Sequence, residues 1–130
     1  MNKYMLSDIA KFINGELYGN DMIVSNFSID SRTIRKDDVF ICIKGKKYDG
    51  HDFISHCIKK ASCLITSKEI TDINLEEKSY IKVNDTLKAL QELSRFARSK
   101  SKAKFIAITG SNGKTTVKEM IAHILSDYKI

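Results

Sequence analysis

Lys114 and Thr115 close a glycine-bounded turn, Gly110-Ser111-Asn112-Gly113-Lys114-Thr115-Thr116, a grouping suited to holding a nucleoside triphosphate. Glycines let backbone N–H groups close around an anion. A helix opening at the Lys-Thr pair adds unpaired donors and the positive end of its dipole. In such a site Lys114 reaches the β- and γ-phosphates, and the Thr115 hydroxyl enters the Mg²⁺ shell. The loop departs from the pattern G-x-x-x-x-G-K-[ST]: Ile108 stands where the first glycine belongs and Gly110 replaces it, so the loop is shorter. The alternative is an accidental surface turn, and the flanking residues argue against it. Residues 105–109, FIAIT, are apolar on both alternating faces, as in a parallel strand covered on two sides. Val117, Met120, Ile121, Ile124 and Leu125 then recur at helical spacing. Strand, loop and helix in that order are the context the motif requires.

A second group able to do chemistry is Asp30-Ser31-Arg32. The planar Arg32 fork suits phosphate or carboxylate, and Ser31 offers a hydroxyl beside it. Asp30 and Arg32 could equally stabilise a turn, and the segment alone leaves both readings open. A third is the loop at 44–53, KGKKYDGHDF, with three lysines, Gly45, Gly50 and His51. Asp49, His51 and Asp52 crowd the start of the next helix, where a carboxylate cap is expected whatever the function. Taken alone, His51 reads as structural, and His56 and His123 as solvated or packed.

The elements that position these groups follow from periodicity. Leu6, Ile9, Ala10 and Ile13 mark a first helix, with Ser7 as N-cap and Gly15 as its stop. Residues 16–18 and 22–25 read as strands around the turn Gly19-Asn20-Asp21, and 27–29 and 39–43 as two more. Phe53, Ile54, Cys57, Ile58 and Ala61 mark a helix, 63–66 and 80–83 strands, and 67–77 a polar connection. Asn84-Asp85-Thr86 caps a helix to about residue 100, with Leu87, Leu90, Leu93, Phe96 and Ala97 inward.

Composition bounds the class. The chain has 130 residues, 42% hydrophobic and 29% charged, without proline, which is globular rather than disordered. No run approaches the roughly 18 apolar residues of a membrane span, and MNKYMLSDIAKF lacks the apolar core of a secretory signal. Cys42, Cys57 and Cys63 lack metal-site spacing and are expected as buried reduced thiols of a cytoplasmic protein. The net charge of +6 suits anionic small molecules or nucleic acid. The lysines are scattered and do not interleave with aromatics, so neither nucleic acid nor membrane is expected as a partner.

The fold expected is α/β: a small mixed-sheet N-terminal domain over residues 1–101, then the first β–P-loop–α unit of a truncated ATPase domain over 102–130. The polar, basic stretch 99–102 is the expected boundary. A phosphate-loop domain also needs flanking parallel strands and acidic Mg²⁺ ligands, for which this chain has no further residues. The expectation is an inactive piece, open to completion by a C-terminal polypeptide.

Together the motifs resemble the N-terminal part of the Mur ligases of peptidoglycan synthesis. The resemblance is carried by Asp30-Ser31-Arg32, Asp38-Val39-Phe40, Lys44-Gly45 with Tyr48-Asp49-Gly50-His51-Asp52-Phe53, 83–90 (VNDTLKAL) and 109–116 (TGSNGKTT). It covers essentially the whole chain. Lys118-Glu119-Met120 and the helix running into Gly15-Glu16-Leu17 are similar to the branch that adds D-alanyl-D-alanine; the branch that adds the third amino acid is the alternative. The resemblance implies ATP and Mg²⁺ as cofactors, held by Gly110 to Thr116 with Lys114 and Thr115 in catalytic roles. It implies that Ser31, Arg32, Lys44, Gly45, Asp49 and His51 contact a UDP-N-acetylmuramoyl-peptide. The γ-phosphoryl group would pass to the peptide carboxylate, and the amine of D-Ala-D-Ala would attack the acyl phosphate. Asp37 departs from the family, which usually has glycine there; aspartate tolerates the left-handed region, so the turn is still expected. A non-catalytic uridine-nucleotide-binding module and a functionless fragment are readings from other classes.

Overall fold

A computed structural model describes residues 3–71, 78–102 and 114–124. The chain divides into two compact units, Met1–Ser99 and Lys100–Ile130.

The first unit is a five-stranded mixed sheet with helices on both faces. Its elements are β1 (Tyr4–Met5), α1 (Leu6–Phe12), β2 (Glu16–Tyr18), β3 (Ile23–Val24), β4 (Asn26–Ser28) and β5 (Asp38–Ile41). A 3₁₀ turn (Gly50–Phe53) then runs into α2 (Ile54–Cys57), and β6 (Cys63–Thr66), β7 (Ser79–Lys82) and α3 (Thr86–Lys100) follow. The sheet order is β2-β7-β6-β5-β4. Strands β4 to β7 pair in parallel and β2 joins antiparallel at one edge. Strands β1 and β3 form a separate antiparallel ladder.

Alternation along the central strands builds two cores. Val39, Ile41, Cys63, Ile65 and Ile81 face α1 and α3, meeting Leu6, Ile9, Leu93 and Phe96. Phe40, Cys42, Leu64 and Tyr80 face the other way, onto Cys57, Ile58 and Ala61. Strands buried on both faces are why β5 and β6 read as unbroken apolar runs. All three cysteines are free and buried, and burial pushes the Cys57 thiol up to about 11 and the Cys63 thiol up to about 12.

Several local expectations are corrected. Ser7 does not cap α1; the helix begins at Leu6, and the Ser7 N–H donates to Asp21 Oδ1 at 2.9 Å, a carboxylate from a distant turn. Asn14, at φ 57, takes the left-handed position that ends α1, and the Gly15 N–H returns to the Ala10 carbonyl at 2.8 Å. Gly15 serves close packing instead, since a Cβ there would lie 2.6 Å from Ile81 Cγ2. The helix expected from Phe53 to Ala61 is a single turn, α2, entered through the 3₁₀ turn Gly50–Phe53 and ending at Cys57. Leu87 is exposed; Ala89, Leu93 and Phe96 make the inward stripe of α3. Asp85 caps that helix, its Oδ1 accepting from the N–H groups of Leu87 and Lys88 at 2.9 and 3.2 Å.

In the second unit the described element is α4 (Lys114–Ile124).

Candidate functional site

Parallel strands end together, and open α/β sheets bind ligands outside those carboxyl ends. The segments after β4 and β5 here enclose a cleft of about 870 Å³, lined by Ile29, Asp30, Ser31, Arg32, Phe40, Ile43, Gly45, Lys46, Lys47, Tyr48, Gly50 and Phe53. Of the residues singled out in the sequence, Ser31, Arg32 and Gly45 line it; Lys44, Asp49 and His51 do not.

Arg32 pairs with Asp30 and remains open to solvent. Asp30 Oδ1 accepts from the Arg32 backbone N–H at 2.9 Å and from Nε at 3.0 Å, and Oδ2 accepts from Nη2 at 2.9 Å. The Arg32 side chain is nonetheless 86% exposed. Its fork and then its backbone N–H hold the Asp30 carboxyl below the usual carboxylate range. The two readings of this segment are therefore compatible, because a guanidinium with five donors has some left for an anion. Asp37 and Asp38, the next carboxylates along the chain, do other work. Asp38 Oδ2 accepts the Arg35 N–H at 2.9 Å, while Asp37 adopts φ 71, the left-handed turn that the departure from glycine had put in question.

The opposite wall is the loop at 43–50. It is closed by Gly45 N–H to Tyr48 O and Gly50 N–H to Ile43 O, both 2.8 Å, and by a bridge between Lys44 and Asp49. Lys46, Lys47 and Tyr48 project from its exposed tip. Among the described residues neither Lys46 nor Lys47 stands in an ion pair. With Arg32 they give the cleft a cationic lining, whose charge suits an anionic ligand. In the sequence Lys46 and Lys47 are just two of the three lysines of the loop, because only the fold brings them to one cleft with Arg32.

Asp49 and His51 lie behind that wall. Asp49 Oδ1 accepts from the His51 backbone N–H at 3.0 Å and lies 2.7 Å from Nδ1. On the other side Nε2 meets the Ser67 N–H at 3.0 Å and Oγ at 3.1 Å. The His51 side chain is 6% exposed. Ser67 had no signal of its own in the polar stretch that follows β6.

The glycine loop, Gly110 to Gly113, and the strand expected at 105–109 lie outside the described residues. Lys114, Thr115 and Thr116 open α4, whose first turn holds no acidic residue, so the residue types there fit a polyphosphate.

Residues 23–98 match the family model described as "Mur ligase family, catalytic domain", and 108–129 match "Mur ligase middle domain". The first match alone covers more than half of the chain. The chain belongs to the Mur ligase family. A curated relative from Buchnera aphidicola, UDP-N-acetylmuramoyl-tripeptide–D-alanyl-D-alanine ligase, is 42% identical over 92% of this chain. The corresponding 2,6-diaminopimelate ligase of Clostridium perfringens is 45% identical over 78% of it. The chain spans 26% and 21% of the length of these two Mur ligases. Among solved structures, MurF from Acinetobacter baumannii superposes with a TM-score of 0.85 at 29% identity, over 98% of this chain and 28% of its own. MurF from Thermotoga maritima in complex with ADP gives 0.68 at 29% identity, over 82% of this chain and 24% of its own. The mixed α/β architecture is thus that of the N-terminal part of a Mur ligase. Among the described residues no helix is long and apolar enough to cross a membrane.

Proposed function

We propose that this chain is the N-terminal portion of a cytoplasmic ATP-dependent ligase that joins D-Ala-D-Ala to UDP-N-acetylmuramoyl-tripeptide. The observation that carries the reading is the succession of two Mur ligase segments, 23–98 and 108–129, in one chain whose relatives include enzymes of that name. Residues 1–101 take the UDP-muramoyl substrate and residues 102–130 open the ATP-binding domain.

In the substrate cleft Arg32, Lys46 and Lys47 bind the diphosphate, the most anionic part of that substrate, and Ser31 donates a hydroxyl to it. The apolar lining from Ile29, Phe40 and Phe53 excludes water from one side of the ligand. ATP, when bound, supplies the phosphoryl group that activates the peptide carboxylate. Lys114 and the amides of Gly110, Ser111, Asn112 and Gly113 would hold its phosphates, with Thr116 beside them, and the Thr115 hydroxyl would hold Mg²⁺. Those donors lower the barrier by positioning and charge neutralisation.

Titration calorimetry of the chain with UDP-N-acetylmuramoyl-tripeptide tests the substrate assignment. Saturable binding, competed by UDP, is expected; absence of binding overturns it. The clostridial relative favours a second reading, the sibling ligase that extends the dipeptide. Preference for UDP-N-acetylmuramoyl-dipeptide over the tripeptide in the same titration selects that sibling.

A further inference from the structure

Behind the cleft wall, His51 joins two segments that no backbone hydrogen bond or ion pair described above links directly: the loop at 43–50 and the residue that follows β6. A backbone N–H can only donate, so the 3.0 Å contact from Ser67 makes Nε2 the acceptor. The ring proton must then sit on Nδ1, where Asp49 Oδ1 receives it at 2.7 Å. Each ring nitrogen is thus committed, and the side chain is 6% exposed. The sequence of carboxylate, imidazole and hydroxyl resembles a nucleophilic triad, but the acceptor lone pair is already occupied by a backbone donor. Ser67 Oγ therefore shares Nε2 instead of commanding it as a base.

We propose that His51 is a positioning residue for the anion cleft. Its ring pins the base of the 43–50 loop to Ser67 and so fixes where Lys46, Lys47 and Tyr48 meet the ligand. The proposal rests on the uridine-nucleotide reading of the cleft. It differs from direct contact, because the ring is spent on Asp49 and Ser67 and is not among the lining residues. The loop is stiff enough to transmit the constraint. Its two internal hydrogen bonds are 2.8 Å, and Gly50 packs against the Ile43 nitrogen and the Cys42 Cα with no room for a side chain.

Two variants separate the ends of the ring. His51→Gln can place its carbonyl near Nε2 and keep an acceptor for Ser67. His51→Asn places its amide near Nδ1, keeps Asp49 and abandons Ser67. Affinity for UDP-N-acetylmuramoyl-tripeptide and amide hydrogen exchange of the Gly45 and Gly50 N–H groups are measured for both. His51→Asn is expected to weaken binding roughly tenfold, the scale of one lost hydrogen bond with an orphaned donor, and to speed exchange at both glycines. His51→Gln should stay within about threefold on both readouts, a rescue that general destabilisation does not provide. Equal loss of affinity in the two variants with unchanged exchange means the ring touches ligand, and overturns the proposal. Equal acceleration of exchange in both also overturns it. Failure of the unsubstituted chain to bind the nucleotide sugar, with the exchange pattern as expected, removes the uridine reading and leaves the pinning established.

Discussion

Asp30-Ser31-Arg32 and Asp49-Gly50-His51 are the same device used twice. In each, an aspartate Oδ1 accepts the backbone N–H of the residue two positions on and also engages that residue's cationic or imidazole side chain. Each follows a parallel strand, the first on one wall of the cleft and the second behind the opposite wall, where Gly50 alone of the three reaches the lining. They differ in where the second side chain ends. The Arg32 side chain is 86% exposed, while that of His51 is 6% exposed and meets Ser67 on its far side. A carboxylate turn therefore makes a presented group or a structural tie according to what stands beyond it. Sequence cannot distinguish the two, since the partner that decides is sixteen residues away in one case and solvent in the other.

The middle residues should show the contrast most strongly. A Cβ on Gly50 would lie 2.7 Å from the Ile43 nitrogen and 2.9 Å from the Cys42 Cα, both backbone atoms that have little freedom to move. Gly50→Ala should cost roughly 2–3 kcal/mol, the scale of core overpacking, lowering the melting temperature by about 10–20 °C. Ser31→Ala, at the matching position of the open turn, should stay within about 0.5 kcal/mol, as a surface change does. Equal losses in thermal denaturation would break the comparison, because the two turns would then be equally structural.

Much of this was legible beforehand, and the failures have one cause. Residues 39–41 and 63–65 announce themselves as strands because both faces are apolar, which only a sheet covered on two sides requires. The α3 cap at Asp85 was legible because its partners are two and three residues away. Ser7 misled because its competitor, Asp21, arrives from another turn; Gly15 misled because Asn14 tolerates the left-handed region and the glycine was needed against Ile81. Lys46 and Lys47 join the lining of the cleft only through the parallel pairing of β4 and β5, which brings their loop and Arg32 to one cleft. Local chemistry was readable, and chemistry completed across the fold was not.

Ligand affinity should reverse the order of the two turns. Lysine cannot reproduce the two-pronged contact of Arg32 with Asp30 while also meeting an anion. Arg32→Lys should therefore weaken UDP-N-acetylmuramoyl-tripeptide roughly ten- to hundredfold, with the melting temperature of the free chain nearly unchanged, since the pair is solvent-exposed. A lower melting temperature with unaltered affinity would reassign Arg32 to the structural role that His51 plays on the other wall.

Acid titration is the smallest expected effect and the one that compares the carboxylates directly. Both are held below the usual carboxylate range: Asp30 by the Arg32 side chain and then its backbone N–H, Asp49 by the His51 backbone N–H and then its ring. A carboxyl depressed in the folded chain contributes stability that is fully present above its unfolded value, about 3.9. That contribution is lost as pH falls through the folded value. The window thus begins near pH 4 and extends downward, and stability in it should decline on acidification. Asp30→Asn and Asp49→Asn each remove one such carboxyl, so each should flatten the decline measured by denaturant unfolding across that window. The flattening should be larger for Asp49, because its partner ring is buried and tied onward to Ser67, whereas water can replace Asp30 at the exposed Arg32 fork. If Asp30→Asn flattens the curve as much, burial of the partner does not set the strength of these turns, and the distinction between the two walls fails.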